Sequence, residues 1–238
     1  MNHTFPASSY HGPIREIFPD VFYVQGTVTM GPGVRITRSM VIIRENGELS
    51  LVNAIRLGPE GEAELEKFGQ VKHLLKIGSH GMDNPYYIDK YQPKIWSRKE
   101  AELGYEPDVT IEENGELPFG DATIFKFQNA TSPEFPILLH REGGVLITCD
   151  SVQNWNKKDL KIGSFIGGLV TRFLGFLGPA KIGPMWLKTV TDKSGPNLSP
   201  DFQRLLALEF KHLLSGHGSP LLNDAKSALE QEVHKVGF

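Results

Sequence analysis

The run His73-Leu74-Leu75-Lys76-Ile77 leads directly into the segment Gly78-Ser79-His80-Gly81-Met82-Asp83-Asn84. The first run predicts a buried strand, because it is short, largely apolar and followed by turn residues. Proteins that combine helices and sheets usually build their sites in loops at the carboxyl ends of strands. This stretch therefore makes His80 and Asp83 candidates for a functional site at the end of a strand.

Two later segments have the same form, an apolar run followed by a polar residue. Gly144-Val145-Leu146-Ile147-Thr148-Cys149-Asp150 ends in an aspartate, and Leu214-Ser215-Gly216-His217-Gly218 contains a histidine between two glycines. Both predict a strand that delivers a candidate ligand into a loop. We therefore add Asp150 and His217 to the candidate site.

The remaining sequence predicts two β-rich halves that each close with a helix. Residues 21–24, 40–43 and 49–52 are rich in β-forming side chains, and Asn46-Gly47 predicts a tight hairpin turn. Helices are predicted over residues 60–68, from Ser199-Pro200 onward, and after Asn223 or Asp224. This order predicts an α+β fold in which two sheets pack face to face with helices outside.

Composition limits the class of protein and its partners. The 238 residues carry a formal net charge of -3, with 39% hydrophobic and 22% charged residues, which is typical of a globular chain. We expect one domain over residues 1–238, no nucleic-acid partner and no electrostatic reason for an anionic membrane partner. No membrane span is expected, because no apolar run reaches about 18 residues. With a single cysteine and no secretory signal, the expected location is the cytoplasm.

The order and spacing of these segments resemble the metallo-β-lactamase-fold superfamily over nearly the whole chain. The resemblance implies a four-layer αβ/βα sandwich of two mixed sheets, with metals at one edge of the sheets. It also implies a first motif of the form His-x-His-x-Asp-His, in which Ser79 and Gly81 here replace the first two histidines. Asp83 falls on the retained aspartate, Asp150 on the bridging aspartate and His217 on the closing histidine.

The resemblance thus leaves Asp83, Asp150 and His217 as ligands of one reduced metal site. His80 adds a fourth ligand if its loop turns helically, since residues i and i+3 then share a face. Imidazole and carboxylate ligands suit Zn²⁺, Mn²⁺ or Fe²⁺. The expected activity is hydrolysis of a small-molecule ester, thioester or phosphoester, with Asp83 and Asp150 as the catalytic residues. The alternative is a non-catalytic binding or scaffold protein that holds no metal.

Each candidate also has an ordinary structural explanation. His80 could hydrogen-bond a strand end, Asp83 could stabilise the turn before Asn84-Pro85, and Asp150 could cap a turn. Cys149 is expected to be a small core residue rather than a reactive thiolate. Glu134 is a further candidate base, since it lies close to the position of a missing histidine.

The segment 156–198 is expected to be an apolar helical insertion. Within residues 162–187, a helical stripe is formed by Phe165, Ile166, Leu169, Phe173 and Leu177. The stripe could pack over a sheet as core, cover the site as a lid, or form a homodimer contact.

Overall fold

The computed structural model describes residues 5–98, 105–191 and 197–238. Over these residues the chain forms thirteen strands and seven helices. The strands are β1 (Arg15–Phe18), β2 (Val21–Gly31), β3 (Val34–Glu45), β4 (Glu48–Val52), β5 (Gln70–Lys76), β6 (Lys94–Ser97), β7 (Val109–Thr110), β8 (Ala122–Ile124), β9 (Ile137–Leu139), β10 (Val145–Thr148), β11 (Val152–Trp155), β12 (Gly178–Ile182) and β13 (His212–Ser215). The helices are α1 (Pro59–Phe68), α2 (Asn84–Tyr91), α3 (Asp159–Ile162), α4 (Phe165–Phe173), α5 (Pro184–Val190), α6 (Ser199–Leu206) and α7 (Ala225–Val236).

Both larger sheets mix parallel and antiparallel pairing. The first has the order β1-β2-β3-β4-β5-β6-β7, antiparallel as far as β4 and parallel from β4 to β7. The second has the order β13-β10-β9-β8, in which only the β13–β10 pair is parallel. The antiparallel pair of β11 and β12 forms a separate two-stranded sheet, which is joined to the segment after β13 by a bridge between Asn154 and Gly218.

Three hydrophobic clusters define the layers. One lies between the two sheets and joins Tyr23 and Ile43 of the first to Ile147 and Leu214 of the second. Another covers the outer face of the first sheet with side chains of α1 and α2. The third covers the outer face of the second sheet with side chains of α5, α6 and α7. The expected α+β sandwich of two mixed sheets between outer helices is therefore confirmed.

Local sequence signals explain where the elements begin and end. Asn46 and Gly47 adopt φ values of 52° and 79°, as a two-residue turn between β3 and β4 requires. The third predicted helix begins where its sequence indicated, with Ala225 after Asp224. Ser199 is the first residue of α6 rather than its cap, and Leu198 takes the capping position.

The three candidate loops meet at one edge because of the strand arrangement. Parallel β10 and β13 end side by side, with Thr148 paired to Ser215. The loop after β5 lies directly against them, since a Cβ atom added to Gly78 would stand 2.6 Å from the Cβ of Cys149. His80, Asp150 and His217 are therefore brought together from the ends of three strands in two sheets.

Helix α4 turns its large apolar side chains outward. Phe165, Ile166, Leu169 and Phe173 are 85%, 51%, 60% and 91% exposed, respectively. The opposite face carries Gly167 and Thr171, which are buried. Core packing was one explanation for the apolar stripe, and it is wrong for these four residues.

Glycine allows α4 to lie directly on strand β3. A Cβ atom at Gly167 would stand 2.1 Å from the carbonyl oxygen of Arg35, and one at Gly163 would stand 2.2 Å from it. The Ser164 side chain caps the helix by accepting from the Gly167 N–H, and its backbone N–H donates to the Arg35 carbonyl. The small residues thus form the inner face of the helix, and the large apolar side chains on the opposite face are exposed to solvent.

Among the described residues, no helix combines the length and apolar character needed to cross a bilayer.

We predict that Gly167→Ala destabilises the protein by about 1–3 kcal/mol, because the methyl group would overlap the Arg35 carbonyl. Urea denaturation followed by circular dichroism measures the loss. Gly31→Ala is the matched control, since a Cβ atom there meets nothing within 4 Å, and we expect a change within about 0.5 kcal/mol. Equal stability of the two variants would contradict the close contact between α4 and β3.

Candidate metal site

His80, Asp150 and His217 form a compact triangle of ligand-type atoms. The two Nε2 atoms of His80 and His217 are 3.1 Å apart. Asp150 Oδ1 lies 3.3 Å from Nε2 of His80 and 3.1 Å from Nε2 of His217. Among the described residues, they are the one group of three or more His, Cys, Asp or Glu side chains close enough to hold an ion together.

The orientation of His217 is fixed by the first sheet. Its Nδ1 lies 2.6 Å from the carbonyl oxygen of Thr37, which can only accept, so Nδ1 carries the hydrogen. When the ring carries this one hydrogen, Nε2 presents a lone pair toward Asp150 and His80. The indole of Trp155 stacks on the other side at 5.6 Å between ring centroids and shields the imidazole from water.

The loop that carries His217 is tied to strands β2 and β3 as well. Tyr23 Oη donates to the carbonyl of Gly218 at 2.7 Å, and Gln25 Nε2 donates to the same oxygen at 2.6 Å. The Ser39 N–H donates to the carbonyl of Gly216 at 2.8 Å. These contacts cross from one sheet to the other, so the position of His217 depends on how the two sheets pack.

The electrostatics of the triangle favour the neutral form of His80 and the ionised form of Asp150. Burial lowers the pKa of His80. Burial alone would raise the pKa of Asp150, but the neighbouring imidazoles of His80 and His217 hold it well below its usual range. Neutral imidazole and carboxylate are the forms in which these side chains bind metal ions.

A buried carboxylate, Glu134, anchors the loop that presents Asp150. It accepts hydrogen bonds from the backbone N–H groups of Cys149, Asp150 and Ser151, each at 2.8 Å, and from the Ser151 hydroxyl at 2.6 Å. Burial, followed by the charge of Asp150, raises the pKa of Glu134 to about 7, while these donors lower it. Because all four contacts are donors, they favour the ionised carboxylate. Glu134 is therefore a positioning residue, whereas the sequence suggested a base.

Asp83 lies outside the triangle. Its carboxylate forms an ion pair with the Arg38 guanidinium and accepts the backbone N–H of Arg56 at 2.9 Å. His80 turns toward Asp150 while Asp83 turns toward Arg38, so the two do not converge as a shared helical face would require. Of the four candidate ligands, the structure brings together His80, Asp150 and His217.

Several contacts of the site could not be found from sequence. Arg38, Thr37 and Trp155 come from β3 and β11, and nothing in their local sequence marks them as neighbours of the site. Ser79, which falls where the resemblance expects a histidine, donates instead to Asp150 Oδ2. Cys149 is fully buried, and burial raises the pKa of its thiol, which disfavours the reactive thiolate.

The triangle opens into a cavity of about 610 Å³. Arg38, Lys76 and Arg98 place three cationic side chains among its walls. Apolar side chains supply much of the rest, among them Val28, Met30, Ile36, Trp155, Phe176 and Trp186. A cavity with an apolar wall and a few converging polar groups is typical of a site for a small molecule.

No known protein-family model matches this sequence, and no curated protein matches it. Solved structures do match its fold. The structure of VMB-1 at pH 5.5 aligns with a TM-score of 0.66 and 12% identity, covering 98% of this chain and 100% of its own. The metallo-β-lactamase FIM-1 from Pseudomonas aeruginosa, in its mono-zinc form, has a TM-score of 0.63 and 10% identity, covering 94% of this chain and 96% of its own.

A metallo-β-lactamase from Pontibacter korlensis gives a TM-score of 0.61 and 13% identity, covering 93% of this chain and 98% of its own. Identities this low establish a shared fold, and they leave the chemistry to the site itself. The resemblance inferred from the sequence is confirmed at that level.

We predict that Glu134→Gln destabilises the protein by about 2–4 kcal/mol at pH 8, because an amide NH₂ would face buried N–H donors. Urea denaturation measures the loss. Glu116→Gln, at an exposed position without a side-chain hydrogen bond among the described residues, is the matched control and should leave stability unchanged. A Glu134→Gln protein as stable as this control would contradict the anchoring role.

Proposed function

We propose that this chain, which has the metallo-β-lactamase fold, is a metal-dependent hydrolase with a single divalent ion held by His80, Asp150 and His217. The observation that carries the proposal is the convergence of two imidazole nitrogens and one carboxylate oxygen within 3.1–3.3 Å of one another. If no ion is bound, two imidazole Nε2 atoms and a carboxylate oxygen lie within 3.3 Å of one another, and few N–H hydrogens are available to form hydrogen bonds between them.

The spacing of these three atoms fits a metal ion. In a tetrahedral site with bonds of about 2.0–2.2 Å, neighbouring ligand atoms stand about 3.3–3.6 Å apart. The three observed separations lie at or slightly below that range, so small side-chain movements would suffice. Two nitrogens and one oxygen suit Zn²⁺, Mn²⁺ or Fe²⁺, and three protein ligands leave one position open.

A divalent ion held there would lower the pKa of a water molecule and polarise an acyl or phosphoryl oxygen of the substrate. The chain's own residues prepare the site for such chemistry. Thr37 fixes the tautomer of His217 through its carbonyl. Ser79 donates to Oδ2 of Asp150 and leaves Oδ1 directed at the histidines. Trp155 covers one side of His217 and excludes water from it.

The cationic side chains of the cavity support a substrate that carries or develops negative charge. Lys76 is 5% exposed and donates to the Gly78 carbonyl at 2.6 Å, which places its ammonium beside the His80 loop. Arg98 lies on the same cavity wall, with its guanidinium on Ser132 at 2.8 Å. Both would stabilise the oxyanion that forms when an ester, thioester or phosphoester is attacked.

Asp83 is the reason for proposing one ion rather than two. In the resemblance it belongs to the metal site, but here the Arg38 guanidinium neutralises it and both groups are largely buried. Asp83 would have to abandon this pair to bind an ion, which would leave Arg38 buried without its partner charge. We therefore assign Asp83 a positioning role through Arg38.

The same pair favours a second candidate function, a binding or scaffold protein without catalysis. An arginine beside Asp83 places a fixed positive charge close to where the superfamily would hold metal. A protein that had exchanged metal chemistry for ligand binding would show this replacement.

We predict about one equivalent of metal in protein purified without chelators or affinity-resin metal, measured by plasma mass spectrometry. Asp150→Ala and His217→Ala should each lose most of it, because each removes one of three ligands. His140→Ala, which removes an exposed histidine outside the triangle, should retain it. Asp83→Asn should also retain metal if Asp83 serves Arg38 rather than the ion.

The same variants test the reaction. Hydrolysis of a panel of ester, thioester and phosphoester substrates should disappear in Asp150→Ala and remain in His140→Ala. Wild-type protein that stays metal-free after incubation with Zn²⁺, Mn²⁺ and Fe²⁺ would contradict the proposed hydrolase function and favour the second candidate function, a binding or scaffold protein. Loss of metal in a folded Asp83→Asn protein would show that the ligand set is wrong.

A further inference from the structure

The outward face of α4 is an apolar surface that no described part of the chain covers. Phe165, Ile166, Leu169 and Phe173 lie within a little more than a quarter of the helix circumference, and Leu174 extends the surface at 42% exposure. An exposed cluster of large side chains on one helix face marks an interaction surface in most globular proteins. We call these five residues the α4 surface.

Positive charge is concentrated in the segment of the chain that carries the α4 surface. Residues 156–191 contain six Lys or Arg and one acidic residue, in a chain whose formal charge is -3. That acidic residue, Asp159, is buried and accepts hydrogen bonds from Gln25 and Ser219, so it faces the interior. The exposed cations of this region are Lys157, Lys158, Lys161, Arg172 and Lys188, and none has an ion pair among the described residues. The negative overall charge thus conceals a strongly basic region.

The α4 surface lies next to the mouth of the cavity. Ile166 is close to Gly33 in the turn between β2 and β3, and that hairpin contributes Met30 to the cavity wall, where it is 66% exposed. Phe176, three residues beyond α4, also lines the cavity and packs on Trp155 at 5.9 Å between ring centroids. Trp155 in turn stacks on His217. Apolar side chains therefore connect the exposed helix to the candidate metal site.

We propose that the α4 surface docks on a membrane that contains anionic lipid, with α4 lying in the plane of the interface. A short helix with an apolar outer face in a basic segment of the chain has the chemistry of an interfacial element. The apolar side chains would enter the boundary between headgroups and acyl chains, and the lysines and arginines would remain among the anionic headgroups. Docking in this orientation sets the cavity mouth beside the lipid.

A second copy of this chain fits the surface less well. A two-fold dimer brings the same patch of each copy together, so the two basic segments would come close to each other. Like charges across such a contact repel, whereas an anionic lipid surface attracts the exposed cations of the segment. A homodimer contact through residues 162–187 was one of the alternatives that the sequence left open, and it becomes the competing outcome of the experiment.

The experiment is co-sedimentation of the full chain with sucrose-loaded vesicles. Equal parts of phosphatidylglycerol and phosphatidylcholine form the test vesicles, and pure phosphatidylcholine forms the comparison. We expect binding to the anionic vesicles that weakens from 0.05 to 0.5 M salt, because exposed charges are then screened. The double variant Phe165→Ala, Phe173→Ala should bind at least ~10-fold more weakly, since it removes the two most exposed aromatic side chains of the α4 surface.

Matched variants separate apolar insertion from charge. Leu222→Ala, another exposed apolar position, should bind as wild type does. Lys157→Glu, Arg172→Glu should weaken binding to anionic vesicles about as strongly, whereas Lys72→Glu, Lys235→Glu, with the same change in net charge, should not. Phe165 and Phe173 are largely solvent-exposed, so all of these proteins should have wild-type circular dichroism and metal content. That control separates a failure of docking from a failure of the proposed hydrolase.

Three results would overturn the proposal. One is the absence of wild-type binding to anionic vesicles at low salt. Another is binding that survives Phe165→Ala, Phe173→Ala unchanged. The third is a dimer in light scattering that this double variant dissociates, without vesicle binding by the wild type, which would assign the α4 surface to a second copy.

Discussion

The hydrogen bonds accepted by Glu134 are the constraint on which the rest of the site depends. Three consecutive backbone N–H groups, those of residues 149–151, converge on one buried carboxylate. Such a turn of the chain would otherwise bury three unsatisfied donors between the sheets, at a substantial cost for each. With them satisfied, Asp150 leaves β10 at a fixed angle and meets the histidines from two other loops. A charge in the core thus determines the geometry at the sheet edge.

Arg38 and Asp83 set a second constraint on the same edge. An arginine cannot lose its proton at any ordinary pH, so its positive charge beside Asp83 is permanent. A metal ion bound beside Asp83 in this fold would be strongly repelled by the Arg38 guanidinium. The site is therefore asymmetric, with an open group of three ligand-type residues on one side and a closed ion pair on the other. This asymmetry supports the proposal of one ion rather than two more directly than the missing histidines do.

The sequence predicted the fold well, because its strongest signals are local. The Asn46-Gly47 turn, the apolar strands and the ligand-type residues directly after them are all visible in short windows, and strand order brought His80, Asp150 and His217 together. Asp83 could not be assigned in this way. Its role depends on Arg38, 45 positions earlier in the chain, and sequence spacing does not report which of two nearby groups a side chain will face.

Helix α4 shows a second limit of prediction from sequence. Its apolar period was evident in the sequence, but a period alone does not reveal which face is inside. The glycines at positions 163 and 167 decided that question, because only they allow the close approach to the Arg35 carbonyl. In α4 the small residues pack inward, so the usual rule that the larger apolar face is buried does not hold.

This inverted packing has a consequence for motion. Burial of large apolar side chains is the main gain that holds a helix on a protein, and α4 obtains little of it. Its attachment depends on glycine contacts and on the hydrogen bonds of Ser164 with Gly33 and Arg35. A unit with so little buried apolar surface opens locally at a lower free energy than the strands beneath it, and its amide hydrogens exchange with solvent sooner. Any surface that binds the aromatic side chains of α4 would therefore also reduce the motion of the adjacent cavity wall.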